Sequence, residues 1–379
     1  MSPHLPRPLP TGSTAPSRGA APCSRRRQPL RCPGPSWHER IRIGSAGLLP
    51  LLLLLAGCIA TGGGGGGGAG APSVVAADGV LCDLTRTLAG SDVEVACLME
   101  GGEDPHSFAL RPAQRQQLEA ADLVLINGLG LTPALDGLRQ GRAVIPVAER
   151  AAIEPLRLSE SDRSAPAHSG HSHGHGAADV HARGALDPHV WHDPRNTAAM
   201  ATVVAEQLVA INPEAREAIE RRTTRARQIF RDLDGWTKDQ IATVPPPRRL
   251  LPTPHRGFAT IEDHYGLREL PLLDVVSGSD QMRPMELERL RTFLRRQDVP
   301  ALFSEQDPPG KGLRAISARS GLPLAPEPLA ADGVLKGRSL VGTFVHNTCT
   351  VADGLGGRCD RAGGEALLRR WRRIEAAGQ

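Results

Sequence analysis

Ala121-Asp122-Leu123-Val124-Leu125-Ile126-Asn127-Gly128 holds four consecutive apolar residues between an acid and a turn. A strand with one wet face alternates apolar and polar residues. An unbroken run expects cover on both faces, as in a parallel sheet between helices. Reading outward, 74–76 is a short strand and 78–89 a helix closed by Gly90. Residues 93–98 form a strand with partial alternation, 111–120 a helix and 143–147 a further strand. This strand–helix alternation predicts an α/β fold with a mostly parallel sheet flanked by helices.

The second half repeats the pattern. Strands are expected at 250–251, 272–276 and 301–303, and helices at 258–264, 285–297, 313–320 and 365–376. Between the halves, 213–244 is polar, with Ile219, Ile229, Leu233 and Trp236 at roughly helical spacing. It reads as one long helix, or as two shorter ones broken at Gly235, and Pro245-Pro246-Pro247 ends it. The expected fold is therefore two α/β lobes joined by a long rigid helix: 73–212, the linker 213–244, and 245–379.

Residues 1–57 carry eight Arg and one acid, so the overall charge of +4 leaves the rest of the chain net negative. That argues against nucleic acid as a partner. An apolar run at 46–56 is too short to span a bilayer and fits a signal segment. It ends in Leu55-Ala56-Gly57-Cys58, which resembles a bacterial lipobox with Cys58 as the lipidated residue. The sequence before Arg40 is long for such a signal and rich in Pro and Arg. Gly62 to Gly68 is a glycine run, a flexible tether within 58–72. An exported chain can form disulfides. Cys82–Cys97 and Cys349–Cys359 are the local pairings among three connectivities, the second in a Gly-rich loop segment. A buried free thiol at Cys82 is the alternative.

Asp-Pro-His occurs twice, at 104–106 and 187–189, and Pro254-His255 adds a third Pro-His pair. Proline stiffens the chain at each. His106, His189 and His255 all fall at strand-to-helix junctions, where ligands bind in open α/β sheets. Three stiffly presented imidazoles suit a transition metal. Residues 159–186 form a Ser/Gly/Ala/His-rich loop with His168, His171, His173, His175 and His181. These are too closely spaced for one rigid site and suit weak auxiliary metal binding.

Over 74–379 the chain resembles the metal-specific solute-binding proteins of bacterial ABC importers (cluster A-I). The segments that carry the likeness are 102–108, 121–131, Asp187-Pro188-His189-Val190-Trp191-His192-Asp193-Pro194, and His255-Arg256-Gly257-Phe258 with Tyr265-Gly266-Leu267. The resemblance implies metal held between the lobes by His106, His189 and His255. Asp332 stands at the position of the variable fourth ligand, and Glu305 matches an acid that supports the site or substitutes as a ligand. His192 departs from the family's usual apolar residue.

Three imidazoles with one carboxylate favour Zn2+ as the transported ligand. Mn2+ is the alternative, since it prefers more oxygen. The resemblance further implies a permease and its ATPase as partners, a monomer, and an extracytoplasmic, lipid-anchored location. A zinc-dependent envelope hydrolase is the reading from another class. It lacks support from any H-E-x-x-H or G-x-S-x-G motif, so no enzyme is expected.

Overall fold

The computed structural model describes residues 72–139, 143–157, 186–273 and 284–378, all within one unit, 66–379. Four short strands pair in parallel: β1 (Ser73–Ala76), β2 (Glu94–Cys97), β3 (Leu123–Ile126) and β4 (Val144–Pro146), in the order β2-β1-β3-β4. β3 is buried along its whole length. Its side chains divide by the period of two. Leu123 and Leu125 enter the larger apolar core with Leu81, Trp191 and Met200, whereas Val124 and Ile126 meet Leu118 and Leu135 on the other face. The apolar run is therefore a strand covered on both sides.

Helix α1 (Gly79–Ala89) begins where the Asp78 carboxylate accepts from Leu81 N at 3.0 Å. It closes at Gly90, with φ of 57°, where an added Cβ would lie 2.8 Å from the Gly378 backbone. The next helices are α2 (Pro112–Ala120), α3 (Pro133–Asp136) and α4 (Val147–Arg150). α5 (Pro194–Ile211) starts on an Asp193 cap with proline at its first position.

α6 (Arg216–Ala242) runs through Gly235 unbroken for 27 residues, about 40 Å by the helical rise. The two-helix alternative is thereby excluded. Ile219, Phe230 and Leu233 lie in the core beneath the first sheet, and Ile241 lies in a second core with Phe258 and Phe303. One helix thus spans two separate apolar clusters.

Beyond it, β5 (Leu250–Thr253) and β6 (Arg268–Pro271) pair in parallel. The strand expected at 272–276 lies earlier in the chain. Arg268 and Glu269 disguised it, because Glu269 is an acid turned inward and 2% exposed. Residues 274–276 lie outside the described residues. The strand expected at 301–303 is reduced to a single parallel bridge, Leu302 to Leu324. The helix expected at 258–264 is a 3-10 turn, Ala259–Ile261, followed by α7 (Glu262–Tyr265).

Four helices follow: α8 (Pro284–Arg296), α9 (Lys311–Ser320), α10 (Leu340–Gly354) and α11 (Arg361–Ala377). α10 was not expected, because Thr343, Val345, Thr348, Thr350 and Val351 are poor helix formers. A Ser339 cap and burial offset that propensity. Cys349 therefore sits on a helix rather than in a loop, and it bridges to Cys359; Cys82 on α1 bridges to Cys97. Leu340, Phe344, Leu367 and Trp371 return to the core of the first sheet, although sequence placed 245–379 wholly with the second lobe.

Arg222 on α6 donates to the carbonyls of Leu88 and Ala89 at 2.7 and 2.8 Å and pairs with Asp92, closing the C-terminus of α1. Arg222→Ala leaves buried carbonyls without that donor. Urea unfolding is expected to show a loss of about 3 kcal/mol.

Candidate metal centre

Each site histidine hangs from a loop fixed by its own local hydrogen bonds. After β2 the chain turns through Gly101 and Gly102. Asp104 Oδ1 then accepts from His106 N at 2.8 Å, and Asp104 Oδ2 accepts from Ser107 Oγ at 2.8 Å. At the second Asp-Pro-His, Asp187 Oδ1 accepts from His189 N at 3.0 Å and from the ring Nδ1 at 2.8 Å. Asn127, at the end of β3, donates to Pro188 O at 3.0 Å, which ties this segment to the mouth of the first sheet.

His255 follows β5 and rests on Glu269. The Glu269 carboxylate accepts from Gly257 N and Phe258 N, each at 3.0 Å. Gly257 is needed there, since an added Cβ would come within 2.8 Å of Ala331 Cβ. Asp332 lies between the bridge residue Leu324 and α10. Asn347 on α10 holds the preceding Ala330 through both its N and O at 3.0 and 2.9 Å.

These four segments converge. His106 Nε2 lies 3.1 Å from His189 Nε2, and Asp332 Oδ1 lies 3.1 Å from the Nε2 atoms of His189 and His255 and 3.3 Å from that of His106. Four donors around a tetrahedral zinc at 2.0–2.1 Å stand about 3.3 Å apart. The separations from Asp332 Oδ1 to the three nitrogens, and that between His106 and His189, match the edges of such a tetrahedron. Three nitrogens and one oxygen could hold a transition-metal ion.

The ring tautomers agree with this. Asp187 Oδ1 accepts a hydrogen bond from His189 Nδ1–H, and Glu305 Oε2 lies 2.6 Å from His255 Nδ1. A neutral ring with its proton on Nδ1 points an Nε2 lone pair at the centre. Lone pairs and a carboxylate facing one point demand a cation. Without metal, protons meet that demand. Burial alone would push the His189 imidazole down, but the carboxylates of Asp187 and Asp332 outweigh it and raise its pKa to about 9. His255 is likewise raised, with Glu305 and Asp332 overcoming burial. Burial acts to raise the Asp332 carboxyl, yet the His255 charge and the hydrogen bonds from the three rings hold it well below the usual range.

Of the residues singled out from sequence, His106, His189, His255 and Asp332 come together, with Glu305 behind His255 rather than among the converging donors. His192, without a role from sequence, lies buried, with Nε2 2.8 Å from Ala331 O. Cys58 and the histidines at 168, 171, 173, 175 and 181 lie outside the described residues. Sequence reasoning missed Asp187 and Glu269. The repetition of Asp-Pro-His could have pointed to the first; nothing local marks the second. Asp193, Asp234 and His264 also cluster. There Asp234 accepts from His264 and Tyr265 at 2.6 and 2.8 Å while Asp193 holds Arg195, so each carboxylate already has a partner.

Among the described residues no helix is long and apolar enough to cross a membrane. The chain is 25% identical over 312 residues to the manganese-binding lipoprotein MntA of Halalkalibacterium halodurans, covering 81% of this chain and 96% of that protein. It is 27% identical over 299 residues to the zinc-binding protein TroA of Treponema pallidum, covering 76% and 89%. The solved structure of that periplasmic zinc-binding protein superposes with a TM-score of 0.62, at 25% identity, over 76% of this chain and 99% of its own. Fe(III)-bound YtgA from Chlamydia trachomatis shares the fold, with a TM-score of 0.61 at 23% identity over 76% and 98%. Residues 74–354 match the family model described as the periplasmic zinc-uptake complex component A, and the chain belongs to that family of metal-binding substrate-binding proteins of ABC transporters.

Proposed function

We propose that this chain is the extracytoplasmic zinc-binding protein of an ABC importer, with His106, His189, His255 and Asp332 as the zinc ligands. One observation carries the reading. Asp332 Oδ1 lies 3.1 to 3.3 Å from three imidazole nitrogens, two of which are 3.1 Å apart, near the roughly 3.3 Å edge of a zinc tetrahedron. Glu305 and Asp187 orient two of the rings through Nδ1 and strengthen them as donors. Manganese is the second reading, favoured by the likeness to a manganese-binding lipoprotein. A site rich in nitrogen suits zinc better. The zinc-hydrolase reading needs a general base beside an open coordination position, whereas Glu305 is engaged by a ligand ring.

In this reading a lipid on Cys58 anchors a monomer to the membrane surface and the glycine run holds it away. The protein captures Zn2+ and passes it to the permease and its ATPase. The His-rich loop binds metal weakly, in addition to the tight site.

Competition titration against a chromogenic chelator tests the ligands. His189→Ala should weaken Zn2+ by more than about 100-fold, since loss of a supporting partner alone costs 10–100-fold. Unchanged tight binding would refute the assignment. Wild-type protein offered both ions should retain Zn2+ in preference to Mn2+; preference for Mn2+ would move the function to the second reading.

The pKa of His189, about 9, lies above neutral pH, so its ring is protonated in the metal-free protein. Zinc needs the neutral ring, and uptake at pH 7 must release a proton. Apparent affinity should therefore rise with pH from 7 toward 9. Calorimetry in buffers of differing protonation enthalpy reads the protons directly, and none released would contradict this charge state.

Deleting 168–181 should reduce the total zinc bound while leaving one tight site, as read by equilibrium dialysis. Loss of the tight site would sink the auxiliary role of the loop.

A further inference from the structure

We infer that His192 is a positioning residue for Asp332, holding the fourth donor against the three imidazoles from the segment that carries His189. The inference rests on the metal-site reading above and deepens it.

Nε2 of His192 lies 2.8 Å from the carbonyl oxygen of Ala331, the residue before Asp332. A carbonyl only accepts, so the ring proton sits on Nε2. The side chain is 7% exposed, and its ring centroid stands 4.4 Å from that of Phe258. Burial pushes its pKa down to about 4, so the ring stays neutral and the proton assignment holds at physiological pH.

His192 ends the 3-10 turn Val190–His192 that directly follows His189. The same short segment therefore supplies one proposed ligand and grips the chain beside another. On its other side the Asp332 segment is tied to α10 through Asn347 and Ala330. Two anchors from different elements thus act on adjacent peptides, Ala330 and Ala331. Asn347 fixes the segment to its own helix. His192 fixes it to the segment that carries His189. Without His192, no described hydrogen bond from that segment reaches the Ala331 carbonyl, and the placement of Asp332 against the rings rests on its own carboxylate and on the Asn347 anchor alone. An apolar residue at 192 could pack on Phe258 but could not supply the hydrogen bond.

The test uses the whole mature chain with Zn2+ and Co2+ as probes and compares His192→Phe, His192→Leu, His192→Gln, Asp332→Ala and the His192→Phe/Asp332→Ala double variant. Phe and Leu remove the hydrogen bond and keep an apolar contact with Phe258, with Leu as the second choice if Phe overpacks the site. Gln keeps a donor. We expect Phe or Leu to weaken Zn2+ about tenfold, the low end for loss of a supporting partner. Gln should stay near wild type. The visible spectrum of bound Co2+ in the Phe variant should move toward that of Asp332→Ala. In the Asp332→Ala background, His192→Phe should add little.

Full additivity of the two substitutions would overturn the inference, because His192 would then act elsewhere than through Asp332. Wild-type affinity in both the Phe and Leu variants would also overturn it. If Asp332→Ala alone binds Zn2+ like the wild type, the ligand assignment itself fails. That outcome is distinct, because it appears without any change at His192.

Discussion

The Asp332 carboxylate faces three imidazole nitrogens at 3.1 to 3.3 Å, and the surrounding structure serves that convergence. Such an arrangement is unfavourable unless a positive charge fills it. Protons on the rings supply that charge in the absence of metal, and a metal bound there would displace them. The raised pKa of His189 and the depressed one of Asp332 are two sides of this single requirement. It also explains why carboxylates stand behind His189 and His255. Each accepts from Nδ1 and leaves Nε2 facing inward.

The two Asp-Pro-His tripeptides show how one local signal acquires two uses. Asp104 serves a turn, accepting from His106 N and from Ser107 Oγ. Asp187 reaches the ring of its histidine as well as the backbone. The difference is burial. The Asp187 and His189 side chains are 1% and 0% exposed, so their polar atoms must find each other. Asp104 is exposed, and its carboxylate serves the turn that carries His106 rather than the ring.

Much of this site was legible in the residues. Proline before histidine fixes presentation, a junction after a strand fixes the location of His106 and His255, and the family likeness brought in Asp332 and Glu305; among the described residues His189 follows only an isolated bridge at Leu186. The structure added the rank of those two acids, with Asp332 at the centre and Glu305 behind His255. Glu269 and His192 stayed hidden for a physical reason: each acts on backbone atoms of a segment distant in sequence. Glu269 holds the amides of the His255 loop, and His192 holds the carbonyl before Asp332. Such contacts leave no periodicity or spacing to read. The same inward turn of Glu269 moved β6 away from its expected place, because a strand that buries an acid does not look apolar.

By itself the sequence determined the parallel sheet, through the unbroken run at β3, and the helical character of the segment between the halves; that α6 continues through Gly235 was decided by the structure. The sequence also determined which imidazoles are stiffly presented. Those are local properties, fixed by side-chain periodicity and by proline. Only the tertiary structure decided that α10 is a helix despite its β-branched residues, that α10 and α11 return to the first core, and that four donors from separate segments share one point. Each of those outcomes depends on burial against residues far along the chain, and burial is a property of the folded whole.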